Sequence, residues 1–317
     1  MPRQSNMYSA PANPRIAIIG FGEVGGIFGN DFAKRGIAVS IFDILLDSER
    51  HRQPMRAKAE RCGVKAEDTL RDCLRDADLV ISAVTASSAL EVAEAAATIL
   101  DRKQIFLDLN SVSPETKRKA AACIEQPTKE KDGARFVEAA VMAGVPGKRL
   151  QVPMLLGGAH ALAASELLES LGMNATALSD QIGVVSAVKM CRSVMIKGLE
   201  ALAVECLFAA RRYGAEQAVL ESLAATYPGM GWNDRLPDYL IGRVAEHGRR
   251  RAAELREVAQ TLEEVAVEPT MALAAAERQE QLVCEMAERE LAVPPDDSFS
   301  WRSLADSVAQ NRRSRPD

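Results

Sequence analysis

The chain has 317 residues, room for two domains, with 47% hydrophobic content and a net charge of −5. Acids and bases are mixed along it, so no electrostatic case exists for nucleic acid or an anionic membrane as a partner. Six scattered cysteines (Cys62, Cys73, Cys123, Cys191, Cys206, Cys284) with no C-x-x-C pair, and three histidines (His51, His160, His247), complete no metal-ligand set, so a reduced, soluble, cytoplasmic protein without a metal is expected.

Met1 to Pro14 is polar and proline-containing with no apolar core, so it reads as a flexible tail and not a signal peptide. No apolar run reaches membrane-spanning length. At Arg15 a β-branched run (Ile16 to Ile19) leads straight into G-x-G-x-x-G, formed by Gly20, Gly22 and Gly25. A helix-like segment from Val24 to Arg35 follows, with Gly36 where a C-cap would sit. A second strand, Ala38 to Phe42, then delivers Asp43, eighteen residues past Gly25. In a dinucleotide site the first glycine makes the tight turn and the second lets backbone approach the pyrophosphate. The third lets helix pack on strand, and the helix N-terminus attracts phosphate charge. The acid at the tip of the second strand accepts hydrogen bonds from the ribose. This chain is therefore expected to bind a dinucleotide through Gly20, Phe21, Gly22, Glu23, Val24, Gly25 and Asp43, with Val84, Thr85 and Asn110 from later strand ends.

Asp78 to Val84 reads as a buried strand, Ser87 to Leu100 as a helix, and Gln104 to Leu109 as the next strand. Ser113 and Pro114 then suit the N-cap and first position of another helix. Arg135 to Val141 and Pro153 to Gly157 look like strands around a loop, Ala161 to Leu171 like a helix, and Ala175 to Leu178 like a last short strand. Repeated β-α-β units imply a mostly parallel sheet with helices on both faces. After Leu178 the strand signal stops. Ile182 to Arg212 has no proline and apolar residues at helical spacing, enough for a helix of about 45 Å. Gln217 to Ala225, Tyr239 to Val265 and Met271 to Arg289 are helical by periodicity. The fold class is thus α/β. A Rossmann-type doubly wound parallel sheet over 15–180 precedes an all-helical domain over 181–293, with a flexible tail at 1–14 and a polar one at 294–317.

Three further segments carry candidate chemistry. Asp108 to Pro114 lies at the carboxyl end of a parallel strand, where ligands bind in open α/β sheets, and Asn110 and Ser111 offer donors to a substrate carboxylate. A strand-to-helix turn rich in capping residues would look the same. Glu138 to Gly144 is a strand end opening into a small-residue loop with room for a ligand near the backbone. On the long helix, Lys189, Arg192, Ser193 and Lys197 fall at i, i+3, i+4 and i+8 amid apolar, small or Cys neighbours. A polar stripe on a buried helix has to meet something polar, whether a ligand or a salt-bridged interface.

Together these segments resemble the β-hydroxyacid dehydrogenase family, which includes 3-hydroxyisobutyrate and 6-phosphogluconate dehydrogenases. The chain is most similar to a poorly characterised phosphogluconate-dehydrogenase-like branch with a distinct C-terminal domain. The resemblance covers about 15 to 205. Gly20, Gly22 and Gly25 match the family's glycine turn. Its D-x-S-T-x-S-P substrate loop corresponds to Asp108, Asn110, Ser111, Ser113 and Pro114. Its catalytic lysine, six residues after a glycine on the long helix, lands on Lys189 after Gly183. Departures are equally specific. Ala140, Met142 and Ala143 replace the proline, serine and first glycine of the family's P-V-S-G-G loop. Ser193 stands where the family has asparagine. Arg192 and Ile196 replace the histidine and glutamate of the phosphogluconate enzymes. His247-Gly248-Arg249-Arg250-Arg251 lies where a Lys-Asp pair is usual.

The resemblance implies an NAD(P)-dependent dehydrogenase acting on a β-hydroxy acid, a small carboxylate, with NAD favoured because Asp43 would repel a 2′-phosphate. Lys189, partly desolvated and near other cations, would accept the hydroxyl proton, with Ser193 holding the hydroxyl or the lysine. Asn110, Ser111 and the Gly144 backbone would fix the carboxylate, with charge from Arg192 or Lys197. An imine or ketoacid reductase on the same fold and a catalytically silent dinucleotide sensor are the alternatives. The long apolar helix implies a homodimer.

Overall fold

A computed structural model describes residues 13–127, 132–294 and 298–310. The expected tails therefore lie partly outside the described residues. The chain divides into two compact units, Met1–Lys189 and Met190–Asp317.

In the first unit β1 (Ile16–Ile19), α1 (Glu23–Lys34), β2 (Val39–Phe42), α2 (Glu49–Arg61), β3 (Lys65–Ala66) and α3 (Leu70–Leu74) lead to β4 (Leu79–Ser82) and α4 (Ala89–Ala97). Then come β5 (Ile105–Asp108), α5 (Pro114–Glu125), β6 (Arg135–Val141), α6 (Val145–Lys148), β7 (Met154–Gly157), α7 (Ala161–Ser170) and β8 (Ala175–Ser179). The strands form one sheet in the order β3-β2-β1-β4-β5-β6-β7-β8. Every pair is parallel except β6–β7. This is the Rossmann-like sheet the β-α-β pattern implies.

Alternation along the strands divides the core between the two faces. Ile16, Ile18, Ile41, Ile81 and Leu107 pack with Phe28, Phe32, Met55 and Leu167. Ala17, Ile19, Val80, Phe106 and Phe136 pack with Leu74, Ala93 and Ile124. Because both faces are covered, the central strands are apolar throughout, which is why they read as continuous runs. The strand order reverses between β1 and β4, where the loops after β1, β4 and β5 gather at the carboxyl ends. That is the crevice where such sheets bind ligands. Between β2 and β4 the local sequence signal is weak. Helix α2 is strongly charged and carries Pro54 inside it, and β3 is two residues long.

Helix α8 (Val184–Tyr213) begins in the first unit and continues into the second, followed by α9 (Glu216–Thr226), α10 (Leu236–Glu263), α11 (Thr270–Glu288) and α12 (Trp301–Gln310). Their core joins Val204, Leu207, Ile241, Val244, Leu282 and Trp301, with a second cluster around Leu255, Val258 and Ala276. Helix α12 corrects the expected polar tail. Trp301, Leu304, Ala305 and Val308 are buried at helical spacing, and Asp238 accepts the Trp301 N–H at 2.9 Å. One face of α8 stays uncovered. Val184, Val188, Cys191, Met195 and Leu202 are all exposed there at steps of three, four and seven residues.

Candidate active site

The glycine turn after β1 has the form a dinucleotide needs. Gly20 sits at φ +88, and a Cβ there would lie 2.5 Å from the Ala83 carbonyl oxygen. A Cβ on Gly25 would lie 2.1 Å from the Gly20 oxygen, so only glycine lets α1 pack against the turn. Gly22 is exposed with nothing within 4 Å of where a Cβ would project, leaving open space over its backbone. Asp43 is buried at the tip of β2. Its Oδ2 accepts the Phe21 N–H at 2.7 Å and its Oδ1 the Leu45 N–H at 3.0 Å. The Phe21 ring is core, so that residue supports the turn from beneath. Glu23 and Val24 open α1.

Lys58 was not singled out by sequence. Its ammonium donates to the Phe21 carbonyl and, at 2.8 Å, to the Gly22 carbonyl, and lies 4.9 Å from the Phe21 ring centre. One lysine in a helix of many charges carries no distinguishing signal. Its effect is to hold two carbonyls of the turn toward α2 and to place positive charge beside a pyrophosphate site.

The ends of β4 and β5 are tied through Asn110. Its Oδ1 accepts the Val84 N–H at 2.8 Å, and its Nδ2 donates to Ser82 Oγ at 3.0 Å. Asn110 thus joins the two strand ends, and Thr85, beside Val84, is exposed. Below it Lys117, fully buried, donates to the Asp108 carbonyl at 2.9 Å and lies 3.1 Å from the Asp108 carboxylate. This buried pair is a second feature that sequence reading missed, because nine residues of spacing (Asp108 to Lys117) across a turn is no helical repeat. Ser113 caps α5 at the Thr116 N–H, as its position implies.

Lys189 meets this turn directly: its Nζ donates to Ser111 Oγ at 2.6 Å. The structure therefore brings together two candidates that lie 78 residues apart in sequence. Gly144 is exposed at the end of β6, at the N-cap of α6. Deeper in the same strand Glu138 is fully buried. Its Oε1 accepts the N–H groups of Gly183 and Val185 at 2.7 and 3.1 Å, and its Oε2 that of Ser186 at 3.3 Å.

In the second unit the remaining stripe residues separate. Arg192 is exposed, whereas Ser193 and Lys197 are buried. Lys197 donates to Ser193 Oγ at 3.1 Å and pairs with Glu254 at 3.1 Å. Burial holds the Lys197 ammonium below the ordinary lysine range, opposed by Glu254. Nearby Arg251 meets Glu200 in a bidentate pair, its Nε donating to Oε2 at 2.7 Å and its Nη2 to Oε1, and Gln279 donates to the Lys197 carbonyl at 2.9 Å. Burial pushes the Glu200 carboxyl up, against the pull of Arg251. The His247–Arg251 segment thereby gains a packing role. A Cβ on Gly248 would lie 2.5 Å from the Val283 side chain and 2.9 Å from the Gln279 carbonyl oxygen, so α10 and α11 touch backbone to backbone.

Among the described residues no group of three or more His, Cys, Asp or Glu could hold a metal ion. No described helix is long and apolar enough to cross a membrane.

Comparison with known proteins agrees with this geometry. The NAD binding domain of 6-phosphogluconate dehydrogenase matches residues 15–182, and a domain of unknown function, DUF1932, matches residues 210–282. An uncharacterized 28.5 kDa protein from Methanothermus fervidus is 30% identical over 77% of this chain and 89% of its own length. The 3-hydroxyisobutyrate dehydrogenase of Pseudomonas aeruginosa is 27% identical over 68% of this chain and 71% of its own. A conserved hypothetical protein from Sinorhizobium meliloti, solved as a crystal structure, superposes with a TM-score of 0.74 at 34% identity, covering 96% and 99% of the two chains. The chain belongs to the 3-hydroxyacid dehydrogenase family, in the branch that joins its NAD-binding domain to DUF1932.

Proposed function

We propose that this protein is an NAD(P)-dependent dehydrogenase that interconverts a β-hydroxy acid and its carbonyl product, with Lys189 as the general acid–base. The carrying observation is the 2.6 Å contact between Lys189 Nζ and Ser111 Oγ at the carboxyl end of β5. A lysine amine in hydrogen-bond reach of a hydroxyl has the geometry to take up or return an alcohol proton. Ser111 Oγ marks where a substrate oxygen is received.

The nicotinamide, when bound, supplies the hydride chemistry. Everything else falls to the chain. Gly20, Gly22, Gly25 and the N-terminus of α1 receive the pyrophosphate, Asp43 the ribose, and Lys58 adds charge beside them. Asn110 holds the β4 and β5 ends in register, so Val84 and Ser111 stay in place. The Gly144 backbone is available to the substrate carboxylate. Ser193 and Lys197, being buried and bonded to each other, serve by fixing their helix face. NAD is the favoured cofactor, since a buried acid at the tip of β2 disfavours a 2′-phosphate.

Purified protein assayed on a panel of hydroxy acids with both nicotinamides tests the reading. Reduction of NAD by a β-hydroxy acid is expected, and NADPH bound tighter than NADH by tenfold or more, about 1.4 kcal/mol, would overturn the cofactor preference. Activity on amines with none on any hydroxy acid would overturn it.

A further inference from the structure

The carboxylate of Glu138 touches none of the groups assigned a chemical role above, yet it is the most completely enclosed acid near them. It lies on β6 with no accessible surface, and accepts three N–H groups from the residues that begin α8. Those amides belong to the first turn of a helix, where four N–H groups have no partner within the helix. An ionised carboxylate satisfies them and meets the positive end of the helix dipole, which is what makes its own burial tolerable. The contact is shaped from the other side as well. A Cβ on Gly157, on the neighbouring strand β7, would come within 2.6 Å of Glu138 Oε1 and 3.0 Å of the Val185 side chain. Gly183, whose N–H makes the shortest of the three bonds, holds φ +102. A glutamate, a glycine facing it and a glycine in the left-handed region thus define one seat for one helix end.

Lys189 lies six residues past Gly183 and three past Ser186 on that helix, in the same unit. We propose that Glu138 is a positioning residue for Lys189: it clamps the first turn of α8 to β6, and the clamp sets the lysine against Ser111. Its importance for turnover rests on the reading of Lys189 above, but the positioning is measurable without any substrate. Glu138→Gln keeps the shape, removes the charge and turns an amide N–H₂ toward at least one backbone N–H, so the first turn loses a partner.

The test compares wild type with Glu138→Gln in two measurements on the full chain. The first is competitive acylation with acetic anhydride, mapped by mass spectrometry. Lys189 should react at least threefold faster in the variant, while exposed Lys34 and fully buried Lys117 keep their rates. The second is hydrogen exchange, where the peptide spanning 183–189 should lose protection at least tenfold while peptides of β1 and α1 do not change. Gly157→Ala, which displaces the carboxylate without altering it, should reproduce both effects and covers the case in which Glu138→Gln fails to fold. NADH affinity should stay within twofold in both variants, because the glycine turn and Asp43 are untouched. Unchanged Lys189 acylation in a folded Glu138→Gln or Gly157→Ala protein would overturn the proposal. So would a loss of protection spread evenly over the first unit, which would mark Glu138 as a general stabiliser only.

Discussion

Lys189→Ala removes the amine that meets Ser111 and leaves the glycine turn, Asp43 and Lys58 as they are. Turnover on the substrate found by panel assay should fall by ~10²- to 10⁴-fold, the usual worth of general acid–base catalysis. NADH affinity, read by fluorescence titration, should not change. Lys189→Arg should fail to rescue, since a guanidinium stays protonated and cannot take up a proton. A Lys189→Ala rate above a tenth of wild type would remove the lysine from the role of base. At this scale the sequence was informative where a residue type has few uses. Three glycines with an acid at the right distance are a specific pattern, whereas Lys189 stood out through its place in a polar stripe and through the family resemblance. The roles of Lys58, Lys117 and Glu138 were invisible, because each acts on backbone carbonyls, a carboxylate or amides that only the fold brings near. The part Asn110 plays in tying β4 to β5, through Ser82 and the Val84 N–H, was likewise not legible.

Helices α8, α10 and α11 were legible nearly to their ends because long apolar periodicity is the strongest local signal. Helix α12 was not, since its buried face of Trp301, Leu304, Ala305 and Val308 is only one short stripe in a polar stretch. What joins these helices can be tested through two contacts. Glu200 and Arg251 are paired and buried, so Glu200→Gln or Arg251→Met alone should cost about 3–5 kcal/mol by leaving a charge without its partner. The double variant Glu200→Leu with Arg251→Met should recover most of that in a denaturant titration. If the double variant is no better than the singles, the ion pair is not what the cost measures. Gly248→Ala sets two effects against each other. Alanine favours a helix by about 1 kcal/mol over glycine. Its methyl would meet Val283 at 2.5 Å and a backbone carbonyl at 2.9 Å, and overpacking costs about 1–3 kcal/mol. Because one of the two contacts is backbone, overpacking should win and the midpoint should fall.

For the whole molecule, the uncovered face of α8 bears on assembly. Val184, Val188, Cys191, Met195 and Leu202 follow the three-four spacing of a helix seam, and exposed apolar stripes of this kind mark interfaces. A homodimer formed across this face should sediment at twice the 34.3 kDa of one chain at micromolar concentration. Met195→Glu with Leu202→Glu should return it to the monomer mass. Sedimentation of the wild type as a monomer would set the seam aside.

The helix that carries this face also passes from one unit to the other without a break, the division falling between Lys189 and Met190. No loop therefore exists at the joint in which length can drift. Each residue inserted there would turn every later side chain of α8 by ~100° and advance it ~1.5 Å, carrying Ser193 and Lys197 off the face that holds Lys189. A cut at the same place would leave Val184–Lys189 as six residues, too short to persist as a helix in water. Length at this joint can therefore change only together with a rotation of everything that follows on the helix.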